Sequence, residues 1–295
     1  MRINCSSRSV RTLLLSSLII AAASWAIPSH AQGTTPQLLN ISTRAFIRPD
    51  ENVLIGGFII SGTVPKRVII RAVGPSLNNS GLPRFLPDPV LELMDASGAV
   101  IATNDDWMEA SNADEIRATT IAPSNDLESA LLVTLAPGQG YTAIVRDFFD
   151  GEIGHALVEV YDLNESAAAL LANISSRALV DIGDSILIGG FILRGGSGSG
   201  DVVVRAIGFS LGQAGVTSPL DDPTLELRNA NGALVAANDD WQDTDEAGIR
   251  QTGLAPTDEL ESAIAISLPA GNYTALVAGF EGMAGIGLVE VYNLR

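Results

Sequence analysis

The chain carries the same domain-length sequence twice, and no other feature limits its possible folds as tightly. LNISTR at 39–44 returns as ANISSR at 172–177, and LIGGFI at 54–59 returns unchanged at 187–192. RAVGPSL (71–77) is matched by RAIGFSL (205–211), DPVLEL (88–93) by DPTLEL (222–227), and TNDDW (103–107) by ANDDW (237–241). ESALLVTLAPGQGYTAIV (128–145) then answers to ESAIAISLPAGNYTALV (261–277), and LVEVYDL (157–163) to LVEVYNL (288–294). The offset moves only from 133 to 134 and then to 131, so the copies differ by small loop insertions. A repeat this long is not a solenoid unit, whose period is about 20–50 residues. The sequence divides into a first repeat at 32–164 and a second at 165–295.

Each copy reads as all-β. Runs rich in Val, Ile, Leu and Tyr at 52–61, 66–73, 89–95, 98–103, 129–135, 140–147 and 156–162 are separated by Gly, Pro, Asn and Asp. Strand runs at intervals of about 8–12 residues indicate antiparallel sandwiches, so the expected fold is two tandem, jelly-roll-like β-sandwiches. Ala-Ser-Gly (96–98) and Ala-Asn-Gly (230–232) supply hairpin turns, with Gly at positive φ. A short helix is expected in ADEIRAT, capped by Asn112, with EAGIRQT (246–252) in the same place of the second copy. The short link NESAAALL (164–171) brings the two sandwiches close enough to share an interface.

Residues 1–31 have the form of a cleaved secretory signal: Arg2, Arg8 and Arg11, an apolar stretch from Leu13 to Ile27, and the small-residue exit Ser29-His30-Ala31. Removing it takes away three arginines, no acids and the single cysteine, Cys5. The formal charge of −17 becomes −17 − 3 = −20, with 14 basic residues against 34 acidic ones. That balance disfavours nucleic acid and anionic membranes, both held by Lys/Arg clusters. No later segment approaches the roughly 20 apolar residues of a membrane span. The expected location is therefore outside the cytoplasm, periplasmic or extracellular, with a fold held by buried apolar area rather than disulfides.

With these motifs in order, the sequence resembles a tandem repeat of uncharacterised exported bacterial proteins, of the NDDW and ALVEVYDL type, over practically all of the mature chain. The resemblance implies a β-sandwich module and supplies no catalytic residues. LELMDASGAVIATNDD followed by GQGYTAIV is more weakly similar to pre-peptidase C-terminal domains.

Residues kept in both copies serve what both copies share, which is first of all the fold. Tyr141 and Tyr273, like Tyr161 and Tyr292, are expected in the core with bonded hydroxyls. Arg71 and Arg205 sit on strands and call for carboxylate neighbours, which Glu159 and Glu290 can supply across a strand pair. Glu128 and Glu261 are either loop-bridging acceptors or metal ligands. Asn104, Asp105 and Asp106, with Asn238, Asp239 and Asp240, have two readings. They form an oxygen-rich calcium loop, or they close a corner by Asx turns with Trp107 or Trp241 as a lid. The recurrence favours the corner. Trp107 and Trp241 could alternatively stack sugars. His155 has Ile286 as its counterpart and reads as a tolerated surface residue, and no Cys or Ser-His-Asp set is present for nucleophilic catalysis. The expected function is that of an exported, non-catalytic structural or adhesive protein, with calcium as its cofactor if it has one. Its partners would be surface or matrix glycans or proteins. A carbohydrate-binding module is the alternative, and a secreted glycan-acting enzyme a third reading. The loops at 146–155 and 195–200 differ between the copies and are the expected sites of partner contact.

Overall fold

Alternating apolar and polar residues place one face of each strand inward, and in the computed structural model these strands build two sheets packed face to face. The structure describes residues 36–294 apart from 51, 83, 150, 165–167 and 197, so the expected signal peptide (1–31) lies outside the described residues. The first repeat contributes β1 (Gln37–Ile47), β2 (Leu54–Gly62), β3 (Lys66–Val73), β4 (Pro89–Met94), β5 (Val100–Asn104), β6 (Ser129–Leu135), β7 (Gln139–Asp147) and β8 (Gly154–Asp162). The second contributes β9 (Ala169–Val180), β10 (Leu187–Arg194), β11 (Ser199–Ile207), β12 (Pro223–Asn229), β13 (Leu234–Asn238), β14 (Ser262–Pro269), β15 (Gly271–Gly279) and β16 (Gly285–Leu294).

Within the first repeat the strands run β1-β8-β3-β6 in one sheet and β2-β7-β4-β5 in the other, and the second repeats this as β9-β16-β11-β14 and β10-β15-β12-β13. This is the eight-stranded double-sheet arrangement of a jelly roll. The join between the copies is not visible in the sequence. β1 pairs antiparallel with β10 while β2 pairs with β9, so each four-stranded sheet of one repeat continues into a sheet of the other. Two sheets of eight strands result, and one apolar core runs through both copies, with Ile41, Val158, Phe191 and Val289 among its members.

The shared LIGGFI segment is explained at this join. Gly56 lies under Val158 of the facing sheet, where a Cβ would stand 3.1 Å from Cγ1, and Gly189 meets Val289 at the same 3.1 Å. A Cβ on Gly57 would lie 2.9 Å from the Ser175 carbonyl oxygen. Between the sheets the buried Thr43 hydroxyl donates to Ser176 Oγ at 2.7 Å, and these two residues occupy equivalent positions 133 apart. Tying equivalent residues of the two copies together makes the joint self-complementary, as at a two-fold interface.

Two short helices cover the outer face near the β6 and β14 edges, α1 (Ala113–Ala118) and α2 (Gln242–Thr252), and bury Ile116 and Ile249 against it. Asn112 precedes α1 as expected, but its side chain does not cap the helix; Nδ2 donates to the Leu132 carbonyl at 3.2 Å instead. Gly98 (φ 82°) and Gly232 (φ 75°) take the positive φ expected of the hairpin turns.

Candidate metal centre

The NDDW corner is built from the backbone outward, identically in both copies. Asn104 leaves the end of β5 and accepts the Ala130 N–H on Oδ1 (2.8 Å), while its Nδ2 donates to the Asp106 carbonyl (3.1 Å). Ser129 Oγ donates to the Asp105 carbonyl at 2.6 Å. Trp107 donates its backbone N–H to the Glu128 carbonyl (2.9 Å) and its indole N–H to the Asn125 carbonyl (3.1 Å). In the second copy Asn238 bonds Ala263 N–H (2.8 Å) and Asp240 O (2.8 Å), Ser262 bonds Asp239 O (2.6 Å), and the Trp241 indole bonds Asp258 O (3.0 Å). Both tryptophans are lids, only 6% and 3% exposed, and Arg117 and Arg250 lie over their rings. Buried and covered in this way, neither indole offers a free face on which a sugar could stack.

These bonds turn the carbonyls of Asp105 and Asp106 inward and leave their carboxylates to converge. Among the described residues, Asp88, Asp105 and Asp106 bring one carboxylate oxygen each to within 4.8 Å of one another. Asp88 enters from the loop before β4. Asp147, at the end of β7, faces Pro89 across the strand pair, and its charge acts on Asp88. All four residues have a buried Oδ1 with no hydrogen-bond partner. Burial first, and then the charges of Asp105, Asp106 and Asp147, push the Asp88 carboxyl above its ordinary value. Burial, Asp106 and Glu109 do the same to Asp105. Like charges whose buried Oδ1 atoms lack donors are held apart from water at a cost that a proton or a cation relieves.

The second copy keeps three of the four carboxylates. Asp222 and Asp239 are raised by burial and by their acidic neighbours, and Asp222 Oδ1 also lacks a partner. The residue facing Pro223 is Gly279, where the first copy has Asp147 facing Pro89. No protein-family model matches this chain, and no curated protein does. Among solved structures it is similar to a DUF4785 family protein from Legionella pneumophila, at 9% identity over 89% of this chain and 84% of that one, with a TM-score of 0.23.

Of the six residues the sequence nominates, the four aspartates line the two corners, whereas Asn104 and Asn238 spend both ends of their amides on the backbone. Asp88 and Asp147 are additions from the structure. Their signal in the sequence is faint, a DP pair before a strand and one Asp in a loop that differs between the copies. Glu128 and Glu261 are loop-bridging acceptors. Glu128 is fully buried and takes the Gly74 N–H (3.1 Å), the Ser76 N–H (2.8 Å) and the Ser76 hydroxyl (2.8 Å).

The remaining shared side chains brace the outer faces. Arg71 faces Glu159 across β3 and β8, as Arg205 faces Glu290 across β11 and β16, and each guanidinium forks onto one carboxylate. Tyr141 and Tyr273 are buried as expected. Tyr161 and Tyr292 are half-buried instead, with their hydroxyls donating to Glu159 (2.7 Å) and Glu290 (2.8 Å). Burial and the adjacent Glu290 charge push the Tyr292 hydroxyl up to about 12. His155 corrects the surface expectation: it is 1% exposed, edge-on to Phe46 at 5.1 Å, and burial lowers its pKa. Next to Asp147 the loop presents Phe148 and Phe149, 49% and 73% exposed and in T-shaped contact at 4.8 Å. Asp147 Oδ2 fastens that loop by accepting the Gly151 and Glu152 N–H groups at 3.1 and 3.0 Å.

Proposed function

We propose that the chain is an exported, non-catalytic structural or adhesive protein whose first repeat is clamped by calcium at Asp88, Asp105, Asp106 and Asp147. The observation that carries the reading is the convergence of the Asp88, Asp105 and Asp106 carboxylates, each with an unpaired buried oxygen, with the Asp147 charge acting on Asp88 beside them. Calcium takes six to eight oxygens from carboxylates, carbonyls and water in flexible geometry, and an oxygen-only donor set suits it better than a softer metal. The non-catalytic part rests on how the side chains common to both copies are used. Arg71 and Arg205, Glu128 and Glu261, and the twin tryptophans are each committed to a partner that holds a strand or loop in place.

The adhesive part rests on the loop after β7. A cation held by Asp147 would stiffen the segment that presents Phe148 and Phe149 to solvent, and exposed aromatic pairs are characteristic of contact surfaces. Calorimetric titration of the mature chain with calcium tests the reading. One site per chain is expected, lost in Asp88→Asn and kept in Asp222→Asn. Absence of heat, or equal binding by both variants, would overturn it.

A further inference from the structure

The joint between the repeats has two outer faces, equivalent under the duplication, and they are furnished differently. On one of them a cavity of about 630 Å³ opens between Asp50, Asn52 and Val53, the outer face of β9 and the loop at 214–218. Its walls are Val53, Leu179, Val216 and Ile286, and its polar groups include Asp50, Asn52, Arg177 and Ser218. Arg177 is half-buried on β9 and has no ion pair among the described residues. At the equivalent face the counterparts of Leu179 and Ser218 are the larger Phe46 and Arg84, and the counterpart of Ile286 is His155. Phe46 and the buried His155 pack edge to face there. The cavity therefore coincides with smaller side chains at positions 179 and 218, and among the described residues its guanidinium makes no ion pair, with Asp50 elsewhere on the wall.

We infer that this cavity binds a carboxylate-bearing sugar, a hexuronic acid unit of an acidic glycan. Its size lies in the range of small-molecule sites, which combine apolar walls with a few fixed polar groups. A guanidinium fork matches a carboxylate in two parallel hydrogen bonds. Asp50, Asn52 and Ser218 offer acceptors and donors for hydroxyls, and Val53, Leu179 and Val216 provide a surface for the C–H face of a pyranose ring. Because the protein is strongly acidic, a multiply charged anion is repelled, whereas one carboxylate meeting one arginine is tolerated. The inference rests on Arg177 and the cavity, apart from the carboxylate cluster at Asp88.

The test uses the mature chain, followed by NMR or calorimetry as sodium D-glucuronate, D-glucose or sodium acetate is added, with calcium and again with EDTA. Glucuronate is expected to bind saturably, at least about tenfold more tightly than glucose or acetate, and equally in both conditions. Arg177→Gln removes the charged hydrogen bonds and should weaken glucuronate by about tenfold or more. Leu179→Phe, which installs the residue found at the equivalent face, should weaken it comparably with the melting temperature preserved. If glucuronate shows no saturable binding at tens of millimolar, or binds equally to both folded variants, the inference is wrong. A failed calcium site with intact glucuronate binding would overturn only the cation proposal.

Discussion

Removing the Glu128 carboxylate should cost more stability than almost any other single change, and its twin, Glu261, makes the reasoning unusually checkable. In Glu128→Ala three donors lose their acceptor: the buried Gly74 N–H, the Ser76 N–H and the Ser76 hydroxyl. A buried donor left unpaired costs about 1–3 kcal/mol. The Ser76 groups, part-buried and with Ser124 Oγ in reach at 2.6 Å, recover some of theirs. The expected loss is about 3–5 kcal/mol, which lowers the melting temperature by about 10 °C in a domain of this size. Glutamine discriminates further. Glu128 uses both oxygens, whereas Glu261 accepts the Gly208 N–H (3.0 Å), the Ser210 N–H (3.1 Å) and the Ser210 hydroxyl (2.5 Å) on Oε1 alone, leaving Oε2 unpaired. Glu261→Gln can keep all three bonds, so it should cost less than Glu128→Gln. Urea unfolding followed by tryptophan fluorescence measures both series, and the common core predicts one transition in each. Alanine variants within about 1 kcal/mol of wild type, or a Glu261→Gln loss larger than that of Glu128→Gln, would refute the reasoning.

Three further outcomes follow from the same contacts. Lys66 and Asp162 form a buried ion pair at 2.6 Å, so Lys66→Met, which removes the cation from that pair, should lose about 3–5 kcal/mol in the same urea assay. Gly57→Ala drives a Cβ to 2.9 Å from the Ser175 carbonyl at the joint, and calorimetry should show a loss of about 1–3 kcal/mol in a single transition. The folded carboxyls of Asp88 and Asp105 are raised above the unfolded value of about 3.9, so the folded state binds more protons just above that pH. Metal-free wild type should therefore gain stability relative to Asp88→Asn as pH falls from neutral to about 4, and lose that gain as pH rises through the raised pKa values. Unfolding in EDTA across that range checks the sign.

The strands with strict alternation, the hairpin glycines and the Arg71–Glu159 pair are legible in the sequence because each depends on neighbours in one strand or one turn. The first strand was not. Its register shifts between Leu38 and Asn40, and this bulge breaks the two-residue period by which a strand is recognised. The joint was hidden for a different reason. A strand sequence specifies which face it buries but not which edge it offers, so LIGGFI betrays only a close approach, through its paired glycines, without saying to what. At the acidic corner, NDDW stands out through its own oxygens. Yet Asn104 is consumed within the loop, while Asp88 and Asp147 arrive from segments far apart in the chain, by pairings that only the folded sheets create.

The central claim, that the first corner is a cation clamp, is met most directly by thermal unfolding of the mature chain in calcium and in EDTA. A melting temperature that rises with calcium, returns to its starting value in EDTA and does not respond in Asp88→Asn is the predicted result. Identical melting in calcium and EDTA, or an undiminished rise in Asp88→Asn, would contradict it.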